Sequence, residues 1–289
     1  MTITPNQLET RRRGIGGSDA AAVLGLSKWA TPLDIYLSKV EPVATRAPMT
    51  EPMLWGNLLE PVVRQRYSDL TGRAVTVPDT IRHPVHSFMI AHVDGVTDDG
   101  RLLEIKTAGS NYGWGEPGSD EIPGSYLIQV QHYLFVMDLP VADVAVLIGG
   151  CDFRQYEIPA DPELQEMIVD GEREFWHRVE TLDPPPIDLD NPRALEIVRR
   201  MYPGTDGTTV DADTDAQAWR TVLEQATARA SDYQAAADGA KAHLLAVMGS
   251  AAQLRFNDGK ALRRKLTTRK GYVVEPATYM DARLVNAKD

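Results

Sequence analysis

The sequence feature that most constrains the fold of this chain is a pair of β-prone stretches on either side of the turn sequence Asp-Asp-Gly at 98–100. Such a turn between HSFMIAHVDGV and RLLEIKT is typical of a tight β-hairpin. With the turn at this place, Asp94 lies opposite Glu104, and directly opposed residues have Cβ atoms about 4.5–5.5 Å apart. Lys106 shares their face, because side chains alternate along a strand. The opposite face, which we expect to enter a core, carries Leu103 and Ile105.

The paired acids predict a specific chemistry. Two carboxylates held this close repel each other unless a cation lies between them. Mg²⁺ prefers such oxygen ligands and also accepts phosphate oxygens. A neighbouring lysine could orient or deprotonate a water molecule, or stabilise charge on a phosphate. The same residues also fit an exposed hairpin in which Glu104 and Lys106 form a solvated ion pair, so both interpretations stay open at this point.

Composition excludes several classes of protein. The chain has 289 residues, of which 43% are hydrophobic and 25% charged, which is typical of a globular protein and excludes a disordered or fibrous one. The single cysteine, Cys151, excludes an internal disulfide and a cysteine-rich zinc site. The sequence shows neither a secretion signal nor an apolar stretch long enough to span a membrane. We therefore expect a cytoplasmic protein without a membrane partner, in the host cytoplasm if a phage encodes it.

The net charge of -11 is unevenly distributed. Residues 157–217 hold 16 acidic and 5 basic residues, an excess that equals the net charge of the whole chain. The rest is balanced and contains basic clusters at 11–13 and 255–270. The acidic total therefore does not exclude a nucleic-acid partner, although basic clusters alone are weak evidence for one.

The pattern of elements predicts an α/β (α+β) core followed by an appendage. Helical segments alternate with short β-prone pieces up to residue 182. The proline-rich sequence DPPPIDLDNP then begins a linker, assigned to 183–214. The remainder, 215–289, reads as a long alanine-rich helix or helical hairpin and a basic β-hairpin with an Asp-Gly turn.

Four ordered blocks resemble a known family. They are RRRGIGGSDAAAVLG at 11–25, WGNLLEPVVRQRYSDLTG at 55–72, the Asp-(x)n-Glu-x-Lys hairpin and YLIQVQHYLFV at 126–136. Together they resemble the phage lambda-type exonuclease, or YqaJ-type viral recombinase, family of the restriction-endonuclease-like nuclease superfamily. One departure is Val93, where the family usually has proline. The resemblance implies a restriction-endonuclease-like core, with a central mixed β-sheet flanked by helices.

The resemblance also implies site residues. Metal would be bound by Asp94, Glu104 and the carbonyl of Ile105, with Lys106 as catalytic lysine. Two helical residues would assist: Glu60 through water or a second ion, and Gln129 by orienting the water or the scissile phosphate. Without the resemblance, Glu60 is better read as a surface ion pair with Arg64, and Gln129 as an ordinary polar helix position. On the same helix, His132 is expected at the surface.

The first block resembles the family's pocket for a 5'-phosphate. Ser18 would hydrogen-bond the phosphate, flanked by Arg11 and Lys28, and the neighbouring glycines would let backbone N–H groups approach it. The same residues fit a plain helix with Ser18-Asp19 as its N-cap after a flexible loop. Asp19 conflicts with a phosphate unless it caps the helix or faces away.

The function implied is that of a Mg²⁺-dependent 5'→3' exonuclease, with Mn²⁺ as a substitute. It would degrade one strand of linear double-stranded DNA and leave a 3' overhang for a single-strand annealing protein in recombination. Family members form rings, so a homo-oligomer is expected. Two alternatives remain: an endonuclease or branched-DNA resolvase on the same fold, and a non-catalytic scaffold that binds DNA ends.

The C-terminal segment lies outside the resemblance. Its basic hairpin offers possible DNA contacts through Arg263, Arg264 and Lys265. A solvated surface, or a contact with the acidic segment of a neighbouring subunit, fits the same residues. The helix at 215–248 is expected to be a packing or oligomer element.

Overall fold

The computed structural model describes residues 5–41, 50–191 and 193–268, with side chains from residue 9 onward. The chain forms two compact units, Met1–Met201 and Tyr202–Asp289.

A five-stranded mixed sheet forms the centre of the first unit. In spatial order its strands are β2 (Val75–Thr76), β5 (Gly95–Thr97), β6 (Leu102–Ala108), β7 (Val141–Ile148) and β8 (Asp152–Pro159). Strands β6 and β7 are parallel, and the other neighbouring pairs are antiparallel. A smaller sheet has the order β1 (Ile15–Gly16), β4 (Met89–Ala91) and β3 (Ile81–Arg82).

Seven helices of the described part of this unit surround the sheets. They are α1 (Pro5–Arg12), α2 (Gly17–Val23), α3 (Pro32–Val40), α4 (Glu51–Thr71), α5 (Gly124–Met137), α6 (Pro162–Thr181) and α7 (Ala194–Met201). Helix α4 covers one face of the large sheet, where Val63 and Tyr67 pack with Leu103 and Ile105. The predicted α/β class and the predicted burial of these two strand residues are confirmed.

Helix α5 provides the crossover that joins the parallel strands β6 and β7. Parallel neighbours need such a connection because a tight turn reverses the chain. The helix carries apolar residues on all sides and packs in the main core, with Val130 and Leu134 near Leu102 and Val144. Its middle, residues 130–134, is buried without interruption, as expected for a helix without a polar face. His132 is accordingly fully buried, so its expected surface position is wrong.

The hairpin of β5 and β6 has the register predicted from its turn. Gly95 pairs with Leu103 and Val96 with Leu102, which places Asp94 at the position facing Glu104. Gly100 has a φ of 82°, a conformation that glycine adopts without steric cost.

The start of helix α2 differs from the prediction. The helix begins at Gly17 after the extended residue Gly16, and no side chain in the described range caps it. Ser18 and Asp19 therefore lie inside the first turn rather than at the N-cap. The Asp19 carboxylate instead accepts a hydrogen bond from the ammonium of Lys39, at 2.7 Å. The Asp19 side chain, which the local sequence pattern predicts as a helix cap, thus forms an ion pair with a residue of another helix.

The first unit extends beyond the expected core boundary at residue 182. Part of the segment 183–214 is helix α7, and its Ile197 is 2% exposed and packs with Leu33 and Phe175. An ion pair between Arg193 and Asp34, at 2.9 Å, ties this region to α3.

The second unit contains one continuous helix and one hairpin in its described part. Helix α8 (Thr214–Met248) begins with Asp213 accepting a hydrogen bond from the N–H of Ala216. Strands β9 (Gln253–Arg255) and β10 (Ala261–Arg263) pair antiparallel, which confirms the predicted strand–turn–strand. Arg269 and Lys270, the last two residues of the basic cluster at 255–270, lie outside the described residues. In neither unit does a described helix combine the length and apolarity needed to cross a membrane.

Gly17 provides a test of the packing between α2 and α5. A Cβ atom there would lie 2.6 Å from Cε1 of Tyr133 and 3.0 Å from the carbonyl oxygen of Gln129. We expect Gly17→Ala to lower the free energy of unfolding by about 1–3 kcal/mol because of this overlap. Thermal unfolding measures the effect.

The matched control is Gly56→Ala in α4, where the nearest atom to a new Cβ is Oγ1 of Thr107, at 3.7 Å. This change should stabilise the protein by roughly 0.5–1 kcal/mol, since alanine favours a helix over glycine. Equal melting temperatures for the two variants would contradict the described packing.

Candidate active site

The hairpin and helix α5 bring five of the predicted site residues together. The Asp94 carboxylate accepts a hydrogen bond from the N–H of Ile105, at 2.7 Å. The Glu104 carboxylate accepts hydrogen bonds at Oε1 from the Lys106 ammonium and from the Gln129 amide, the latter at 2.8 Å. Lys106 also donates to Oε1 of Gln129, at 3.2 Å. The constellation therefore joins adjacent strand residues to the first half of the crossover helix.

The second oxygen of Glu104 is the most unusual atom of this site. Glu104 is 2% exposed, and its Oε2 is buried with no hydrogen-bond partner among the described residues. A buried carboxylate oxygen without a partner is costly, and native proteins seldom leave one. This oxygen is therefore available to a group that the protein itself does not supply.

Burial and like charge make both acids hard to ionise. Burial raises the pKa of Glu104 to about 8, against the opposing effect of Lys106. Burial likewise raises the pKa of Asp94, while Lys106 and the Ile105 N–H counteract it. The nearby Glu60 carboxylate raises both pKa values further.

Lys106 carries the positive charge of the cluster. Burial alone would lower the pKa of its ammonium, but the Glu104 and Asp94 carboxylates outweigh that effect and hold the pKa above its usual value. The ammonium also lies 5.0 Å from the ring centre of Tyr126, close enough for a cation–π contact. Lys106 is therefore a protonated cation, with its side chain 15% exposed, and not a free base in this state.

The donor set fits a hard divalent cation. Asp94 and Glu104 offer carboxylate oxygens, one of them unpartnered, and Mg²⁺ binds such oxygens while retaining several waters. No group of three or more His, Cys, Asp or Glu side chains is clustered for metal binding in the described parts of the chain. A metal held here would accordingly use the carboxylate pair together with the Ile105 carbonyl and water.

Glu60 is connected to the site through an arginine. It forms the predicted ion pair with Arg64 one helical turn later in α4, but the two side chains are only 23% and 18% exposed, so the pair is not a surface pair. Arg64 also donates to the main-chain oxygen of Asp94, at 3.1 Å. The pair therefore links α4 to the hairpin next to the two acids.

A pocket beside the acids contains two of the three residues predicted to bind a phosphate. Arg11 and Ser18 both line it. Lys28 is exposed, with its ammonium 5.0 Å from the ring centre of Trp29, and is not among the described lining residues. Other residues that line the pocket are Thr10, Thr80, His92 and Tyr133.

Tyr133 connects the pocket to the acids and was not predicted. Its hydroxyl lies 3.4 Å from the amide nitrogen of Gln129, which binds Glu104. The spacing of Gln129 and Tyr133, four residues apart on one helix, was the available signal, since such residues share a face. His92 is likewise new, and its ring nitrogen lies 3.2 Å from the Thr80 hydroxyl.

The remaining predicted contacts belong to the second unit. Arg263 ends strand β10, and Arg264 and Lys265 follow it as exposed residues. Arg264 donates to the main-chain oxygen of Gly249, at 2.5 Å, and so holds the hairpin to the end of α8.

Comparisons with known proteins bear on this geometry. Residues 7–140 match the family model of the YqaJ-like viral recombinase domain. The chain is 43% identical over 171 residues to the uncharacterized protein YqaJ of Bacillus subtilis (strain 168), covering 58% of this chain and 53% of that protein. It thus spans about half the length of this curated relative.

Solved structures resemble the fold. An alkaline exonuclease (LHK-Exo) from Laribacter hongkongensis superposes with a TM-score of 0.53 at 22% identity, covering 62% of this chain and 94% of that chain. LHK-Exo in complex with dAMP gives a TM-score of 0.50 at 20% identity, with coverages of 68% and 97%. The expected exonuclease-type fold is confirmed. The range 7–140 that matches the family model contains all four blocks of the resemblance, at 11–25, 55–72 and 126–136 and in the hairpin between them.

Proposed function

We propose that this chain is a divalent-metal-dependent exonuclease that degrades one strand of linear double-stranded DNA in the 5'→3' direction. The observation that carries the proposal is the buried, unpartnered oxygen of Glu104 beside Asp94 and Lys106. A carboxylate pair with an adjacent lysine suits phosphodiester hydrolysis, in which negative charge develops on the phosphate. The family match and the exonuclease fold support this choice of reaction.

Each residue of the cluster has a separate task. Asp94, Glu104 and the Ile105 carbonyl hold the cation, Mg²⁺ by preference and Mn²⁺ as a substitute. When bound, that ion supplies Lewis-acid stabilisation of the phosphate. Lys106 contributes its ammonium charge to the same phosphate, and Gln129 orients the attacking water or the phosphate oxygens.

The reaction balances as a hydrolysis. Water forms a bond to the phosphorus of the first phosphodiester, and the bond from phosphorus to the 3' oxygen breaks. That oxygen takes up a proton and leaves as part of a nucleoside 5'-monophosphate. The next nucleotide keeps the phosphate at its 5' end, so every cycle regenerates the same type of end.

The pocket beside the acids holds the terminal 5'-phosphate in this proposal. Arg11 and Ser18 line the pocket, and a guanidinium with a hydroxyl is a common donor pair for phosphate. Lys28 remains a further candidate for contact with the DNA end. The complex of LHK-Exo with dAMP, a nucleoside 5'-monophosphate, supports a binding site for such groups on this fold.

The wider assignment follows the same family. We assign to this chain a role in recombination, in which the 3' overhang passes to a single-strand annealing protein. We also propose that the protein forms a ring-shaped homo-oligomer in the cytoplasm. Arg263, Arg264 and Lys265 would provide further contacts with the DNA. In this proposal the segments 1–182, 183–214 and 215–289 serve as nuclease core, linker and appendage. Helix α7, which belongs to the segment 183–214, packs against the core.

Activity tests the catalytic cluster directly. We expect purified protein with Mg²⁺ to degrade linear duplex DNA and to leave covalently closed circles intact, because the reaction starts at an end. Asp94→Ala, which removes a ligand of the cation, and Lys106→Met, which removes the ammonium charge, should each lower the rate by roughly 100-fold or more. Nucleotide release measures the rate.

The matched control for these variants is Asp98→Ala, an exposed acid in the turn of the same hairpin, which should keep wild-type activity. Equal cleavage of circles would favour an endonuclease. Binding of DNA ends without nucleotide release would favour a scaffold.

Metal binding should depend on pH through Glu104. Because the carboxyl is protonated below a pKa of about 8, a cation must displace that proton, and its affinity should fall as the pH drops below this value. A cation at 100 times its Kd stabilises the folded state by about 2.7 kcal/mol. Thermal unfolding should therefore show a larger Mg²⁺-dependent rise above this pKa than below it.

Glu104→Gln should abolish the Mg²⁺-dependent rise at both pH values, whereas Asp98→Asn should retain it. An equal rise in Glu104→Gln and wild type would place the metal elsewhere.

The pocket is tested by varying the DNA end. Arg11→Met and Ser18→Ala should each raise the KM for 5'-phosphorylated duplex by roughly tenfold, the effect of losing a hydrogen bond to a charged group, and change the KM for 5'-hydroxyl duplex little. Steady-state kinetics on the two substrates provides the measurement. Arg13→Met is the control, because Arg13 is 74% exposed and pairs with Glu9. Identical effects on the KM of both substrates would show that the 5'-phosphate does not bind in this pocket.

A further inference from the structure

The proposed phosphate pocket has an anionic neighbour. Ser18 lines the pocket, and Asp19 follows it directly in the chain with a side chain 25% exposed. A carboxylate so close to a bound phosphate would oppose binding, because like charges repel strongly where water is partly excluded. The pocket therefore needs a device that offsets this charge.

Lys39 of helix α3 is placed to do so. Its side chain is 4% exposed, and its ammonium donates to Oδ2 of Asp19, at 2.7 Å. The same ammonium donates to the main-chain oxygen of Arg11, also at 2.7 Å. The ammonium of Lys39 thus binds both the Asp19 carboxylate and the backbone of Arg11.

These two hydrogen bonds connect three separate segments. Arg11 lies in α1, Asp19 in α2 and Lys39 in α3. An ammonium has three N–H donors and no acceptor, so it can bind the carbonyl and the carboxylate together, which a methionine side chain of similar length could not. The position of Arg11 relative to Ser18 therefore depends on Lys39.

A second buried acid lies near this cation. Glu172 of α6 is fully buried and pairs with His132, at 2.8 Å, and His132 contacts the main-chain oxygen of Ile90, at 3.0 Å. Burial raises the pKa of Glu172, with Asp19 adding to the rise and Lys39 opposing it. Loss of Lys39 would remove the cation that offsets the repulsion between the Asp19 and Glu172 carboxylates.

We propose that Lys39 is a positioning residue for recognition of the 5'-phosphorylated DNA end. It contacts no substrate; it neutralises Asp19 and holds the Arg11 backbone at the edge of the pocket. The inference rests on the proposed function, because it assigns Lys39 to the selectivity of that same site. Its signature is a loss of discrimination between 5'-phosphate and 5'-hydroxyl ends, and not a general loss of DNA binding.

The test compares binding of the two kinds of end. Fluorescence anisotropy, without divalent cation so that no strand is cut, gives the Kd of 5'-phosphorylated and 5'-hydroxyl duplex. In Lys39→Met, the ratio of the two affinities should fall by roughly tenfold. In Lys39→Met/Asp19→Asn, it should fall by only about threefold, since the opposing carboxylate is gone while the anchor of Arg11 is still missing. Asp19→Asn alone should keep the ratio or raise it.

The control for general destabilisation is Arg193→Met, which breaks the ion pair with Asp34 in the same unit and should leave the ratio unchanged. Should Lys39→Met fail to fold, the double variant carries the test, because it leaves no Asp19 carboxylate without its partner.

The outcomes separate the two proposals. A wild-type preference for 5'-phosphate that survives in both Lys39 variants would overturn the role of Lys39 and leave the proposed function standing. A wild type without any such preference would overturn the phosphate pocket, and the role of Lys39 with it.

Discussion

The interaction on which the rest of the site depends is the approach of two carboxylates across one hairpin. Asp94 is fixed by the N–H of Ile105, and Glu104 is buried with one oxygen left without a partner in the described structure. Such an arrangement costs free energy in the isolated protein, and a fold keeps it where a ligand recovers the cost. Lys106 offsets part of the charge. The unpartnered oxygen of Glu104 is therefore both the costly feature of the free protein and the reason why we propose a metal at this site.

Helix α5 connects the two acids to the pocket that we propose for the DNA end. As the crossover between two parallel strands it must lie against the sheet, and its Gln129 contacts Glu104 while its Tyr133 lines the pocket. Gly17 lies so close to Tyr133 that no side chain fits between them. In the proposed function, the end of the substrate is thereby held near the bond that is cut.

The sequence predicted the parts of this site that local physics determines. The Asp-Asp-Gly turn sets the register of the hairpin, so the opposition of Asp94 and Glu104 followed from counting residues. The contact between Lys39 and Asp19 joins different helices, and no local pattern reveals it. The expected N-cap at Ser18-Asp19 failed for that reason. The surface position expected for His132 is wrong because residues 130–134 of the crossover helix are all buried. The sequence blocks that carry the resemblance lie within the range 7–140 that matches the family model, and the fold resembles that of a solved exonuclease.

The most direct test of the account is the identity of the first product. Duplex DNA with a labelled 5'-terminal nucleotide and a 5'-phosphate, incubated with protein and Mg²⁺, should release that nucleotide as a nucleoside 5'-monophosphate before any longer fragment, as mass spectrometry can show. Release of labelled oligonucleotides, or of nucleotides from the 3' end first, would contradict a cluster of Asp94, Glu104 and Lys106 that acts on the first phosphodiester of a held 5' end.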